Sequence, residues 1–456
     1  MSLSSILSIA RSALLTQQLA MEVTANNVAN ANTPGYSRQT LQLTPGTPVQ
    51  FPLYSVGSGV DAAGITRSRS QFYDASYRTD NGLLGQSSTL NGYLSQIEGA
   101  LNEPSDNGLS AALSGMFGSL SDLSNDPANP TNRDVVVSSA TRVVNVLHSM
   151  NTQITTADQN ALTDMRTQVD QVNQLTTQIA QLNQQITASN RADGSSSDLE
   201  DQRDNLIDQL SQYMNVRVTQ HDDGSASVAA GDTLLVDGSQ SSGLSVGTVG
   251  QGWGLFPAGG GAQIDAQTGT LAALADLTQN RIPAVVAGLD KIANSLVTEF
   301  NAIHEQGYTA SGATGIDFFD PTGTTAGTIQ LSAALQASSD NLAVSANGQP
   351  GNGDIASQLA AFSTTGAASL GGQTFGDAFT GLATQLGTDV NSTGQDATAN
   401  QALVSRDDQA RTSVSGVSSD EEMVALINEQ QAYQAAARLV SVADQMSQDL
   451  MTLIGT

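Results

Sequence analysis

Apolar residues return every seven positions at the start of the chain. Leu7, Leu14, Met21 and Val28 form one line, and Leu3, Ala10, Gln17 and Thr24 fill the places between, mostly with small or apolar groups. That 3.5-residue period belongs to a helix whose stripe faces another helix. The pattern runs into Asn26-Asn27-Val28-Ala29-Asn30-Ala31-Asn32 and breaks at Thr33-Pro34-Gly35-Tyr36. The far end answers it. Ser419 to Ile454 holds neither Pro nor Gly; Leu426, Tyr433 and Val440 recur every seven residues, and Ala436, Ala443 and Leu450 continue the stripe three residues on. The two ends are expected to pair as a coiled coil.

Between them the period changes several times. Gln39 to Thr44 alternates as a strand bounded by Pro45-Gly46, and Gly57-Ser58-Gly59-Val60 with Ile65-Thr66-Arg67 reads as short turns and strands. Leu83, Leu90, Leu94, Ile97 and Leu101 restore a helical stripe, which Glu103-Pro104 stops; a short helix then reaches Ser124. Thr131 to Asn190 lacks Pro and Gly, with Met165, Val172, Leu175, Ile179, Leu182 and Ile186 on one face. As one helix of about 55 residues it would be roughly 80 Å long; a break near His148–Ala157 would halve that. Asp193-Gly194-Ser195-Ser196-Ser197 reads as a loop, and Asp198–Asn215 as a helix. Segments at 216–219, 225–228, 233–236 and 252–256 read as strands between Asp- and Gly-rich turns. Leu271–Glu305 is helical again. Residues 308–375 are weakly patterned, with short strands expected at Phe318-Phe319 and Ile329–Leu331. Phe375–Val414 reads as a helix broken at Gly387 and Gly394.

The expected fold is mainly α with inserted β, an elongated, nested, multi-domain rod. Residues 1–35 with 420–456 form a terminal coiled-coil assembly domain. Residues 36–215, 270–307 and 376–419 form a helical body. Residues 216–269 are a small antiparallel β insertion, and 308–375 a second, irregular insertion containing β.

Composition narrows the function. The net charge is −27, with 16 basic residues against 43 acidic ones. Nothing in that balance neutralises a row of phosphates, so neither nucleic acid nor an anionic membrane surface is expected as a partner. There are no cysteines, which excludes disulfide and thiolate chemistry. No run approaches the roughly 18 apolar residues of a membrane span. The N-terminal apolar residues are interrupted by Ser4, Ser5, Ser8 and Arg11, so a secretory signal is not expected, and export would use another route with the N-terminus kept.

Catalytic patterns are incomplete. His304-Glu305 begins H-E-x-x-H, but Tyr308 stands where the second histidine is needed, so His304 is expected on the polar surface. Asp222-Asp223-Gly224 reads as a hairpin turn, and Gly57–Ala62 is followed by a strand where a dinucleotide fingerprint needs a helix. No enzymatic activity, metal or cofactor is expected. The terminal stripes remain, and a lone pair of them buries too little to offset ordering about 30 residues each. They are expected to need neighbouring copies. The assembly seam is Leu3, Leu7, Leu14, Met21 and Val28 with Leu426, Tyr433, Ala436, Val440, Ala443 and Leu450.

Asn26, Asn27, Asn30, Pro34, Gly35 and Tyr36 lie in a stretch similar to the N-terminal signature of bacterial flagellar rod, hook and hook-associated proteins, the flagellar axial family. Gly57–Val60 with Ile65–Arg67 resembles it too. Asn102–Asp106, Leu123–Pro127, Asp201-Gln202-Arg203-Asp204 with Leu206, Phe300-Asn301-Ala302 with Gly307-Tyr308, and Asp317-Phe318-Phe319 resemble the hook–filament junction branch of the hook-associated proteins. So does the C-terminal run containing Gly416, Asp420 and Glu421, then Gln430–Arg438; Ser419, where the family more often has a larger residue, departs from it. The resemblance is weakest over 220–265 and 320–375. It implies a non-enzymatic structural subunit, secreted through the flagellar type III apparatus after a transient cytoplasmic stage. It implies a homo-oligomeric ring with the hook subunit on one side and a second junction protein on the other. It also implies an export chaperone on the C-terminal helix. A hook or distal rod subunit, and an adhesin or binding module carried by the β insertions, are the alternatives.

Overall fold

The computed structural model describes residues 3–51, 54–101, 103–192 and 195–454. Asn102, the Asp193-Gly194 part of the expected loop and the outermost residues of the terminal assembly domain lie outside the described residues. The fold is mainly α with small antiparallel sheets inserted. In chain order it runs α1 (Leu3–Asn30), β1 (Gln39–Pro45), β2 (Val49–Phe51), β3 (Tyr54–Val56), β4 (Val60–Arg67), α2 (Gln71–Leu101), α3 (Leu109–Asn125), α4 (Pro130–Arg191) and α5 (Ser197–Tyr213). Then come β5 (Arg217–Gln220), β6 (Ala226–Ala230), β7 (Thr233–Asp237), β8 (Gln240–Ser241), β9 (Leu244–Val249) and β10 (Gly252–Pro257). The chain closes with α6 (Thr270–Asp276), α7 (Ile282–His304), α8 (Ala333–Ala337), α9 (Asp354–Ala360), α10 (Phe375–Ser415) and α11 (Ser419–Ile454).

The chain divides into two compact units. The first holds Met1–Gly82, Gln171–Gly243 and Gln401–Thr456; the second holds Leu83–Asp170 and Leu244–Asn400. In the first, β1 pairs antiparallel with β4, β2 with β3, and β5–β8 form a four-stranded meander. Its Asp222-Asp223-Gly224 turn is the expected hairpin, with Gly224 at φ +86°, which favours glycine. β9 and β10 form a separate hairpin in the second unit, and β9 was not foreseen.

The second unit is built around phenylalanine. Phe300 on α7 lies 5.2 Å from Phe318, 5.6 Å from Phe319 and 5.8 Å from Phe362, ring centre to ring centre. Phe117 and Phe375 close the cluster. A chain with only 10 phenylalanines thus places six in one core. Phe318-Phe319 and Ile329–Leu331 are joined by a single bridge, Phe319 to Leu331, and not by the strands expected there. What holds them is Asn301. Its Oδ1 accepts the N–H groups of Phe318 and Phe319, both at 2.9 Å, and its Nδ2 donates to the Phe319 carbonyl at 2.9 Å. A side-chain amide here replaces a strand partner.

Two other expectations change, and of the two forms open for the long helix the uninterrupted one is found. His304 is fully buried, not on the polar surface. Its Nδ1 bonds the Ile316 carbonyl at 2.6 Å, and its Nε2 accepts the Ala343 N–H at 2.8 Å, which fixes the tautomer. The long helix α4 has no break at 148–157. Nor does α10 break at Gly387 or Gly394. A Cβ on Gly387 would lie 3.1 Å from Glu98 Oε1, and one on Gly394 would lie 3.1 Å from Asn91 Nδ2. Those glycines admit α2 closely, and that packing outweighs their poor helix propensity.

Candidate assembly site

α1 and α11 pack along one another in the first unit. They run antiparallel, because Asn27 near the end of α1 meets Glu422 at the start of α11. The inward line of α1 is Ala10, Thr16, Val23, Thr24 and Asn27, all buried. On α11 it is Glu422, Ala436 and Ala443, with Glu429 half-buried between them. Leu3, Leu14, Met21 and Val28 flank that line and are half-buried, as are Leu426 and Val440. Leu7 is 36% exposed, Tyr433 38% and Leu450 48%. The innermost positions are therefore small or polar, while the larger apolar side chains of the sequence stripe lie beside them.

The joint at the root of this pair is polar and complete. Asn27 is the hub. Its Oδ1 accepts from the Tyr36 hydroxyl at 2.9 Å and the Gln39 N–H at 2.9 Å; its Nδ2 donates to the Gln39 carbonyl at 2.9 Å and to Glu422 Oε2 at 2.8 Å. Those four partners fix the amide orientation. Burial pushes the Tyr36 phenol up to about 12, with Asp198, Asp201 and Glu422 adding to it, so the hydroxyl remains a donor. The other Glu422 oxygen takes Arg38 Nε at 2.7 Å, and Glu421 stands 3.6 Å from the same guanidinium. Arg38 N–H in turn donates to the Ser415 carbonyl at the end of α10.

The flanking signature residues each have a local task. Asn30 Nδ2 donates to Asn26 Oδ1 and its carbonyl, and Asn30 Oδ1 accepts from Thr33, which closes the end of α1. Pro34 and Gly35 make the turn, Gly35 at φ +79°. A Cβ on Gly416 would lie 2.5 Å from the Thr412 carbonyl oxygen, so only glycine lets α10 stop there. Asp420 and Glu421 occupy the first turn of α11, where negative charge suits the helix end. Gly59 allows the β1–β4 side to approach α1, since a Cβ there would meet Ser12 Oγ and the Ile9 backbone.

Below the turn lies a buried ionic cluster. Ser37 donates its N–H and hydroxyl to Asp201, both at 2.8 Å. Arg67 bridges Asp201 at 2.6 Å, Asp204 at 2.9 Å and Glu200 at 2.8 Å. Arg69 reaches Asp74 at 2.7 Å, while Arg78 and Arg411 take the two oxygens of Asp208. Burial works against the Asp204 anion, but Arg69, Arg67, Arg78 and Arg203 outweigh it and hold that carboxyl below its ordinary range. The arginines of this cluster are thus spent inside the fold, not on a surface for polyanions. A polar cleft of about 510 Å³ beside the cluster is lined by Gly35, Tyr77, Asn205, Arg411 and Thr412 among others.

The outer side of α11 is apolar. Val424, Ile427, Leu439, Val442 and Met446 are 46–60% exposed. Among the described residues there is no group of three or more His, Asp or Glu side chains placed to hold a metal, and no helix is long and apolar enough to cross a membrane. The sequence reading missed Arg38, Glu422 and Glu429, because a search for apolar periodicity passes over polar residues in the seam.

Three family models match the chain. The flagellar hook-associated protein FlgK helical domain covers residues 94–319. The flagella basal body rod protein family covers 7–36, and the flagellar basal body rod FlgEFG protein C-terminal family covers 408–453. Flagellar hook-associated protein 1 of Bacillus subtilis is 31% identical, over 98% of this chain and 97% of that protein. The protein of the same name from Salmonella typhimurium is 29% identical, over 70% of this chain and 59% of that protein. A solved structure of the flagellar hook junction protein FlgK from Burkholderia pseudomallei aligns with 53% of this chain and 46% of its own, at 26% identity and a TM-score of 0.47.

Proposed function

The chain belongs to the flagellar hook-associated protein 1 family, and from that premise we propose that it is a structural subunit of the junction between hook and filament. The observation that carries the reading is the division of labour at the termini. The joint around Asn27, Glu422 and Arg38 ties α1 and α11 to the first unit, while α11 keeps an apolar row turned outward. Monomers rarely leave such a row bare, and neighbouring copies of the same helices supply matching surface.

In this reading copies assemble into a ring through α1 and α11, with the hook subunit on one side and a second junction protein on the other. The subunit acts by packing and not by catalysis. It leaves the cytoplasm through the flagellar export route, and an export chaperone covers the outer row of α11 beforehand. Its place is outside the cell. The seam residues Leu3, Leu7, Leu14, Met21, Val28, Leu426, Tyr433 and Val440, only partly covered within one chain, meet the neighbours there.

Deleting residues 1–35 or 420–456 tests this. The remaining chain is expected to be folded and soluble, and cells carrying it are expected to bear hooks without filaments by electron microscopy. Filaments growing from either truncation would overturn the reading.

A further inference from the structure

On α11 the positions facing α1 recur every seven residues as Glu422, Glu429, Ala436 and Ala443. Two of the four are acidic, and their surroundings differ. Both oxygens of Glu422 are satisfied, by Asn27 Nδ2 at 2.8 Å and by Arg38 Nε at 2.7 Å. Glu429 accepts one hydrogen bond, from the Thr24 hydroxyl to Oε1 at 3.0 Å. Its Oε2 is buried, and no donor reaches it among the described residues.

We propose that Glu429 is a built-in weak point of the α1–α11 seam, a carboxylate that limits how tightly the terminal helices pair in the isolated chain and lifts that limit when it takes up a proton. A buried oxygen without a donor costs stability, whereas a neutral acid at the same place costs less. A polar group at one seam position of a coiled coil also fixes register at the expense of strength.

The charged groups nearby do not relieve it. The only charges on α1 are Arg11 and Glu22, and Glu22 is exposed and bonded by Gln18. Of the two strands that pack on α1, β1 carries none, and β4 carries Asp61, which is exposed, and Arg67, which is engaged by Glu200, Asp201 and Asp204. Arg38, just before β1, is engaged by Glu422 and Glu421. On α11 itself, Glu422 adds repulsion, while Asp420, Glu421 and Arg438 are exposed. Burial first, then Glu422, raise the Glu429 carboxyl above its ordinary value, and the Thr24 hydrogen bond only partly opposes them. The sign follows: pairing strengthens as pH falls and weakens as pH rises past the ordinary carboxylate range.

The inference rests on the α1–α11 pair and not on assembly, so it is measured on the dilute full-length monomer by hydrogen exchange, as protection factors over residues 10–30 and 425–445. Wild-type protection is expected to rise as pH falls from 7.5 towards the ordinary value of 4.5. Glu429→Gln is expected to raise protection at pH 7.5 by roughly three- to tenfold and to flatten the pH dependence. Thr24→Val, which removes the one donor, is expected to lower protection at pH 7.5 and steepen that dependence. Unchanged or lower protection in Glu429→Gln, a pH dependence that survives the substitution, or a flat wild-type profile would each overturn the proposal.

Discussion

Asn27 shows how one side chain sets the geometry of an entire joint. Its amide gives the Gln39 backbone both of the hydrogen bonds that a neighbouring strand would give, and uses its two remaining valences on Tyr36 and Glu422. No other residue has the same size with two donors and a two-fold acceptor on one plane. Asn27→Ala strands the Gln39 N–H and carbonyl and one Glu422 oxygen in a buried place, a loss of about 2–4 kcal/mol. Asn27→Asp is expected to be worse at neutral pH, because it sets a carboxylate against Glu422. The Gln39 amide reports on this directly: its hydrogen exchange should accelerate in both variants, and most in Asn27→Asp. An unchanged Gln39 rate would mean that the strand is held by β4 alone.

At the scale of elements, α11 has two apolar faces with different duties. Ala436 and Ala443 are small and buried against α1, whereas Leu439, Val442 and Met446 are large and exposed. Replacing Leu439, Val442 and Met446 by Ser should therefore leave the monomer's stability within about 0.5 kcal/mol per site. It should nonetheless abolish filament growth in complementation assays scored by microscopy. Normal filaments from the triple variant would assign the outer row no part in assembly. The same helix shows what could be read in advance. Heptad spacing is local, so the terminal helices, the Pro34-Gly35 stop and the β5–β7 turns were legible from the residues alone. Glu422, Glu429 and Arg38 were not, because their importance comes from partners hundreds of positions away. Gly387 and Gly394 misled for the related reason that helix propensity knows nothing of α2. His304 misled because one polar residue in an apolar row carries no sign of its burial.

Across the whole molecule, the two units differ in how acid reaches them. In the second, burial lowers His304 to about 4 from an ordinary 6.5. The unfolded chain then binds the extra proton between those values, so stability falls as pH drops from about 6.5 to about 4. At about 1.4 kcal/mol per pH unit the loss is roughly 3 kcal/mol, and it coincides with breaking the Ala343 N–H bond to Nε2. In the first unit, Asp204 is held below its ordinary value of 3.8. Its contribution is present above that value and disappears only as pH falls through the lower, folded one. Glu429 moves the other way, and the terminal pair gains as pH falls. Acid titration followed by hydrogen exchange should therefore loosen the segment around Ile316 and Ala343 first, between pH 6.5 and 4. The segment around Ser37 and Asp201 should follow only below about pH 3.8. His304→Gln should lower the second unit's stability at pH 7.5 and remove its slope between pH 6.5 and 4, leaving the first unit's acid limb in place. Simultaneous loss of both segments, or a slope that persists in His304→Gln, would show that other groups govern the acid response.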